Sequence, residues 1–168
     1  MFLQFASWLH RTPLSLALQH QIGWLWLACE TIHFAGLALL IGVAGVYDLR
    51  LLGFMTRVPI GVVKEFMPLA LVGFGLNLLT GTIFVITQPA LYFANYTWWL
   101  KVALLCIAGL NVLIFETTYG KRVADLPADE DTPVGIKLIA VVSLVTWFAV
   151  LWAGRMLPFI KLGPAARL

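Results

Sequence analysis

Four long runs of apolar residues divide the chain, and each is long enough to cross a lipid bilayer as a helix. They cover about residues 22–47, 66–87, 97–119 and 135–157. A transmembrane helix needs roughly 20 predominantly apolar residues to cross the hydrocarbon core. The pattern therefore predicts an all-α integral membrane protein, a four-helix bundle built as one transmembrane domain over residues 1–168.

The residues before the first apolar run have a shorter pattern, with apolar side chains on one helical face. These side chains are Phe2, Phe5, Trp8 and Leu9. A short amphipathic helix of this kind lies in the interface between lipid and water. Because Pro13 interrupts the pattern, we predict a short N-terminal interfacial helix over about residues 1–12.

Composition and charge agree with a membrane protein. The chain is 61% hydrophobic and 11% charged, with a mean hydropathy of +0.94. A soluble domain is about 45–50% apolar and about 25% charged. The net charge of +3 is small and is spread over helix ends and loops, which indicates interfacial anchoring. We expect the lipid bilayer as a partner and no binding of nucleic acid.

A polar patch lies in the middle of the first apolar run. Glu30 and His33 are three residues apart, and Cys29 precedes His33 by four residues, so the three share one face of a helix. An ionisable group deep in a bilayer is costly unless it is neutralised or paired, so each one is a candidate functional residue. Gly36 follows His33 by one turn, and we expect it to leave space next to the imidazole.

The sequence leaves three interpretations of His33 open. In the first, the imidazole makes a structural hydrogen bond to another helix, and the candidate partners are Asn77, Asn111 and Glu116. In the second, His33 is an axial ligand of a haem, and the missing side chain at Gly36 makes room for the flat macrocycle. In the third, His33 and Glu30 form a proton relay.

Four charged side chains lie near the ends of the apolar runs. Lys101 and Arg155 are either surface residues that snorkel to the interface or cations that hold a haem propionate or a quinone oxygen. Asp48 and Arg50 follow the predicted end of the first span, where the simplest interpretation is a salt-bridged boundary.

Small residues recur in the second apolar run. Gly73, Asn77 and Gly81 follow one another at intervals of four residues. Small residues at this spacing allow two helix backbones to approach closely, and an asparagine can hydrogen-bond across the contact. We therefore predict tight helix packing along this face.

Several stretches carry a resemblance to a known group of proteins. ETIHFAGLALLIG, DLRLLG, NYTWWLK, AGLN and SLVTWFAVLWAGR resemble a family of four-helix bacterial membrane proteins with no assigned function, over about residues 24–156. More distantly, the first-span histidine, the following small residues and arginine, and the W-x-K at the third span are similar to copper-resistance-protein-D and membrane protoporphyrinogen-oxidase proteins. This resemblance implies a bundle in the bacterial inner membrane whose first-span histidine, here His33, ligates b-type haem. The chain has Glu116 where the closer family often has histidine, which puts a second protein ligand in doubt.

The leading hypothesis is a small b-type haem-binding membrane protein, or subunit, in electron transfer. His33 would be the metal ligand, Glu30 would orient it or carry a proton, and Gly36 would give space to the macrocycle. Lys101 and Arg155 would bind anionic groups, and a quinone, other membrane subunits or a second copy of the chain would be partners. The alternative is a non-catalytic membrane subunit that anchors or scaffolds a larger complex, in which the polar residues serve only helix packing.

Overall fold

The computed structural model describes residues 2–20, 22–124, 126–127 and 129–160, and every regular element within them is a helix. In chain order the helices are α1 (Phe2–His10), α2 (Pro13–His20), α3 (Ile22–Leu51), α4 (Ile60–Lys64), α5 (Met67–Thr87), α6 (Pro89–Phe93), α7 (Tyr96–Thr118), α8 (Gly120–Ala124) and α9 (Val134–Met156). Four of them, α3, α5, α7 and α9, are long and apolar enough to cross a membrane. The predicted all-α four-helix membrane bundle is confirmed.

The spanning helices form two antiparallel hairpins. α3 packs along α5, α7 packs along α9, and contacts between α3 and α9 join the two pairs. One end of the bundle is covered by α1, α2 and α6, and we call it the N-terminal end. The opposite end carries α4, α8 and the connection before α9, and we call it the loop end.

Two buried apolar clusters fill the bundle from its middle to the loop end. The cluster near the middle contains Leu40, Ala70, Ala108, Trp147 and Val150, with members from all four spanning helices. The cluster at the loop end contains Tyr47, Leu51, Ile60, Phe115 and Ile136, among others. In the part of the chain that the structure describes, neither cluster includes an α3 residue before Leu40.

The first span is longer than its sequence pattern indicates. We expected it to end near residue 47, but α3 continues to Leu51. The charged residues Asp48 and Arg50 do not end the helix, because both side chains turn into the protein and are buried. The hydroxyl of Thr132 donates a hydrogen bond to the carbonyl of Leu51, which ties the end of α3 to the connection before α9.

The N-terminal segment contains two helices where one was predicted. Pro13 begins α2 instead of ending the helical segment, since proline suits the first turn of a helix, where its missing N–H needs no partner. The Thr12 hydroxyl accepts a hydrogen bond from the Ser15 amide at 3.3 Å, which caps this start. The Ser15 hydroxyl in turn donates to the Ile86 carbonyl at 2.8 Å, so α2 is held against α5.

Candidate functional site

His33 is fixed by one short hydrogen bond between the two helices of the first hairpin. Its Nδ1 lies 2.7 Å from Oγ1 of Thr80 on α5. The same Thr80 hydroxyl donates to the Leu76 carbonyl at 2.7 Å. A hydroxyl has only one proton to donate, so Thr80 accepts from His33, and we assign the imidazole proton to Nδ1. The lone pair is then on Nε2, and no hydrogen bond joins Nε2 to a residue that the structure describes.

The predicted partners of His33 are engaged elsewhere. The Asn77 amide donates to the Gly73 carbonyl within α5 at 2.9 Å. The Asn111 amide donates to the Ile139 carbonyl at 3.3 Å, across the second hairpin. Glu116 lies at the loop end, where its Oε2 is 3.0 Å from the Lys64 Nζ. A hydrogen bond from His33 to another helix therefore exists, but its acceptor is Thr80.

The expected space at Gly36 is closed. A Cβ on Gly36 would lie 2.8 Å from the Asn77 Nδ2 and 2.9 Å from the Gly73 carbonyl oxygen. A Cβ on Gly73 would lie 2.5 Å from the Gly36 carbonyl oxygen. The two glycines bring the backbones of α3 and α5 into contact, so the prediction that Gly36 leaves room beside the imidazole is wrong.

Gly81, and not Gly36, is the glycine that lies beside the imidazole. A Cβ on Gly81 would meet only Cε1 of His33 within 4 Å, at 3.8 Å, among the described atoms. This distance is an ordinary van der Waals contact, so the missing side chain leaves room for one small group next to Cε1. The repeat of Gly73, Asn77 and Gly81 thus combines a close helix contact at its first member with an ordinary contact to His33 at its last.

Aromatic rings cover the side of His33 that faces the N-terminal end. The ring centroids of His33 and Phe84 are 5.5 Å apart, and those of Phe84 and Trp26 are 4.8 Å apart. Beyond them a small cavity of about 10 Å³ is lined by Cys29, Trp26 and Phe84, with other apolar side chains. The Cys29 side chain is buried in the lining of this cavity, where its thiol acts as a small apolar group.

Glu30 faces the connection between the second and third spans. Its negative charge acts on the phenol of Tyr92 in α6. Burial and, to a smaller extent, this charge raise the pKa of Tyr92 to about 12. In the described part of the chain no hydrogen bond joins Glu30 to His33. The residue that orients the imidazole is therefore Thr80, and Glu30 belongs to the N-terminal end of the site.

Lys101 joins the site from the second hairpin. Its Nζ lies 3.5 Å from the position that a Cβ on Gly154 would take, so the glycine of α9 gives the ammonium room. The ammonium is within electrostatic reach of the His33 imidazole. No carboxylate of the described residues forms an ion pair with it. Lys101 is therefore an unneutralised cation beside the polar part of the bundle.

Arg155 lies apart from His33. Its side chain is exposed, and its guanidinium carbon is 5.2 Å from the centroid of the Phe159 ring. This geometry is a cation–π contact at the end of α9, as expected for a residue that snorkels to the interface. Of the predicted site residues, the structure thus groups His33, Glu30 and Lys101 at the N-terminal end, with Gly36 in the helix contact and Arg155 outside.

The structure forms no cluster of metal-binding side chains around His33 in the part of the chain that it describes. Within the described ranges, no three His, Cys, Asp or Glu side chains are grouped so that they could hold a metal ion. Sequence reasoning missed Thr80, Gly81, Tyr92 and Gly154 as members of this region. Gly81 had a signal in the four-residue repeat of the second span, which we interpreted only as helix packing. Thr80 had none, because a helical threonine commonly bonds to its own backbone.

Comparison with models of known protein families, with characterised proteins and with solved structures finds no match for this chain. The resemblance to four-helix bacterial membrane proteins therefore stays a prediction. Function has to be inferred from the geometry of the site.

Polar groups at the loop end form a second buried cluster. The Arg50 side chain is fully buried, and its Nε donates to the Val58 carbonyl at 2.6 Å while Nη2 donates to the Thr56 carbonyl at 3.1 Å. No ion pair joins Arg50 to Asp48 in the described structure. The predicted salt bridge is wrong, because the guanidinium turns toward the carbonyl groups of the connection after α3.

Proposed function

We propose that the protein is a small b-type haem-binding membrane protein, or subunit, in electron transfer, with His33 as the axial ligand through Nε2. The observation that carries this proposal is the hydrogen bond from His33 to Thr80. Ligating histidines ordinarily donate their other ring N–H to a neighbouring acceptor, which fixes the tautomer and the ring orientation. His33 has this arrangement, with Nε2 left for a ligand.

The space and the charges around His33 fit the same group. Gly81 lies beside Cε1 of the imidazole, and its missing side chain would let the edge of a flat macrocycle approach the ring. Lys101 has no carboxylate partner among the described residues and would hold a propionate of the haem. When bound, the haem iron would supply reversible one-electron chemistry. Thr80 would keep the ring oriented, and Glu30 with Tyr92 would form the polar boundary toward the N-terminal end.

A lipid-soluble electron carrier such as a quinone is the proposed partner. An open groove of about 240 Å³ lies between α3 and α9, on the lipid side of the bundle. Its lining is apolar and includes Phe34 and Leu37, which neighbour His33 along α3. An apolar carrier could approach the site from the bilayer by this side. The bacterial inner membrane is the location that the resemblance implies.

The decisive experiment is a reduced-minus-oxidised visible spectrum of the protein purified in detergent after expression with ample haem. We expect a Soret band that shifts on reduction, as for a haem bound through one histidine, and we expect His33→Ala to lose it. His20→Ala is the matched control, because His20 is exposed at the end of α2 and should keep the spectrum. A flat spectrum from folded wild-type protein would overturn the proposal.

A second pair of variants tests whether haem binding needs the missing side chain at Gly81. Gly81→Leu places a bulky side chain beside the imidazole and should abolish the haem spectrum. Gly75→Leu is the control in the same helix, because a Cβ there has no described atom within 4 Å. It should keep the spectrum. Equal haem content in both variants would contradict a haem beside Gly81.

The contact between Gly36 and Gly73 favours a second candidate, a non-catalytic subunit that anchors or scaffolds a larger membrane complex. In that case the His33–Thr80 hydrogen bond would only strengthen the same helix contact. The protein would then be folded and colourless, His33→Ala would lower its thermal stability, and the wild-type protein would co-purify with membrane subunits of a defined complex. Isolation of a colourless protein without such subunits would argue against this candidate.

A further inference from the structure

The last turns of α3 contain three buried polar atoms that lack a hydrogen-bond partner in the described structure. They are the Tyr47 hydroxyl, Oδ2 of Asp48 and Nη1 of Arg50. The relative exposure of Tyr47 and Asp48 is 6% each, and that of Arg50 is 0%. Buried polar groups are almost always hydrogen-bonded. This concentration therefore needs an explanation that the helix packing does not supply.

Among the described residues, no cation forms an ion pair with Asp48. Of the charged groups around this end of the bundle, Glu116 of α7 is paired with Lys64 of α4. Arg50 is directed at backbone carbonyls. On the other side of Arg50, Asp131 is paired with Lys137 of α9, with Nζ and Oδ2 2.6 Å apart.

The buried Ser143 hydroxyl of α9 faces the Asp48 carboxyl. The phenol of the neighbouring Tyr47 lies within electrostatic reach of both Asp48 and Glu116. A bare carboxylate in this environment is strongly unfavourable, because it is buried and forms no ion pair with a described cation. The Ser143 hydroxyl alone is also too little to complete the oxygen shell that a hard metal cation requires.

We propose that Asp48 is a proton-binding site, whose carboxyl group holds an exchangeable proton inside the loop end of the bundle. The proton joins one carboxylate oxygen and comes from the aqueous phase at the loop end, since α3 ends one turn beyond Asp48. The Ser143 hydroxyl is the hydrogen-bonding neighbour of this carboxyl group. This site gives the protein a proton-carrying residue on the helix that also carries His33.

The proton site is independent of the proposed haem function. Asp48 and His33 are separated by fifteen residues of α3, which is about 22 Å at a rise of 1.5 Å per residue. Failure of the haem spectrum would therefore leave the assignment of Asp48 untouched, and loss of the Asp48 proton would leave the His33 site intact. A protein with both sites would hold an electron carrier at one depth and a proton at another.

Infrared spectroscopy of the full-length protein in detergent tests this proposal. At neutral pH we expect the C=O stretching band of a protonated carboxylic acid, and we expect the band to shift in D₂O because the proton exchanges. Asp48→Asn should remove this component of the spectrum. Asp131→Asn is the matched control, because Asp131 is exposed and paired with Lys137, and it should leave the band unchanged.

Three outcomes would overturn the proposal. The first is a carboxylic-acid C=O stretching region of the infrared spectrum that is identical in wild type and in folded Asp48→Asn. The second is a band that does not shift in D₂O, which would mean a proton that cannot exchange. The third is loss of the band when sodium chloride, but not choline chloride, is added at constant pH, since the carboxylate would then bind a metal cation.

A second variant keeps the test valid if Asp48→Asn does not fold. Ser143→Ala removes one hydroxyl that faces the carboxyl, without touching the carboxyl itself. The acid band should keep its area and change its frequency, because its hydrogen bonding changes. A spectrum indistinguishable from that of wild type would contradict the assignment of the band to Asp48.

Discussion

The Nδ1 atom of His33 lies 2.7 Å from Oγ1 of Thr80, and this hydrogen bond connects α3 to α5 in the half of the bundle near its N-terminal end. Because the threonine hydroxyl donates its own proton to the Leu76 carbonyl, it can only accept a hydrogen bond from His33. One threonine thereby determines which nitrogen of the imidazole remains available. The chemistry of His33 depends on this second residue.

Replacing Thr80 by valine should weaken haem binding while keeping the fold. The variant removes the acceptor for Nδ1–H at nearly constant volume, so the ring can rotate and change tautomer. Loss of an orienting partner of this kind typically costs about 10–100-fold in affinity, which a haem titration followed at the Soret band would measure. Thr82→Val is the control, because Thr82 is exposed and bonds only to its own helix. Equal affinities in both variants would mean that Thr80 does not orient the ligand.

Alanine at Gly36 or Gly73 should destabilise the protein by forcing α3 and α5 apart. On Gly73 the new methyl group would lie 2.5 Å from the Gly36 carbonyl oxygen and 2.8 Å from the Leu40 amide nitrogen, which are backbone atoms that cannot rotate away. Overpacking of this kind costs about 1–3 kcal/mol. Thermal unfolding in detergent would measure the loss. Gly75→Ala, in open space on the same helix, should be neutral or stabilising by up to about 1 kcal/mol, and a similar loss there would point to helix propensity instead of the contact.

Replacing Arg50 by methionine should loosen the loop end. The buried guanidinium donates to the carbonyls of Val58 and Thr56, and the variant leaves both acceptors without their charged donor. Hydrogen bonds to charged groups contribute about 1.5–3 kcal/mol each, so we expect a loss of about 3 kcal/mol or more. Limited proteolysis should cut the connection 52–59 faster than in wild type. Arg57→Met removes an exposed arginine from the same connection, and equal cleavage in both variants would contradict the role of Arg50.

Replacing Glu30 by glutamine should lower the pKa of Tyr92. Burial is the larger cause of the raised value of about 12 and remains in the variant, while the smaller contribution from the Glu30 charge is removed. A titration to alkaline pH, followed by the absorbance of the phenolate, would measure the pKa of Tyr92. The Tyr92→Phe variant identifies which part of the signal belongs to this residue. Glu65→Gln, far away at the loop end, should leave it unchanged. An unchanged titration in Glu30→Gln would mean that Glu30 does not face Tyr92.

The same phenol predicts a pH dependence of stability. A tyrosine in the unfolded chain loses its proton near pH 10, whereas Tyr92 in the folded protein keeps it until about pH 12. The native state therefore binds an extra proton between these values, so the contribution of Tyr92 to stability is present below about pH 10 and declines as the pH rises toward 12. Tyr92→Phe should show a shallower loss of thermal stability over this range, and identical slopes would contradict the shifted pKa.

The apolar pattern was sufficient for the membrane bundle, because length and hydropathy are local properties. It failed at Asp48 and Arg50, where the pattern indicated a helix end. The helix continues there because other elements bury both side chains, which a single run of residues cannot reveal. The break before Pro13 is present, since α1 ends at His10. The second helix that begins at Pro13 was not predicted, because its start depends on the cap that Thr12 provides.

The polar residues of the site divide in the same way. The sequence by itself determined that Glu30, His33 and Lys101 are ionisable groups inside apolar runs. The free-energy cost of placing such a group in the bilayer depends on its type and depth, and both can be read from the sequence. Only the tertiary structure decided that Thr80 bonds to His33, that Gly81 lies beside the imidazole and that Gly36 packs against Gly73. Those facts depend on how α3 is rotated and shifted against α5. The register between two helices is set by the packing of their facing side chains, so it cannot be read from either helix alone.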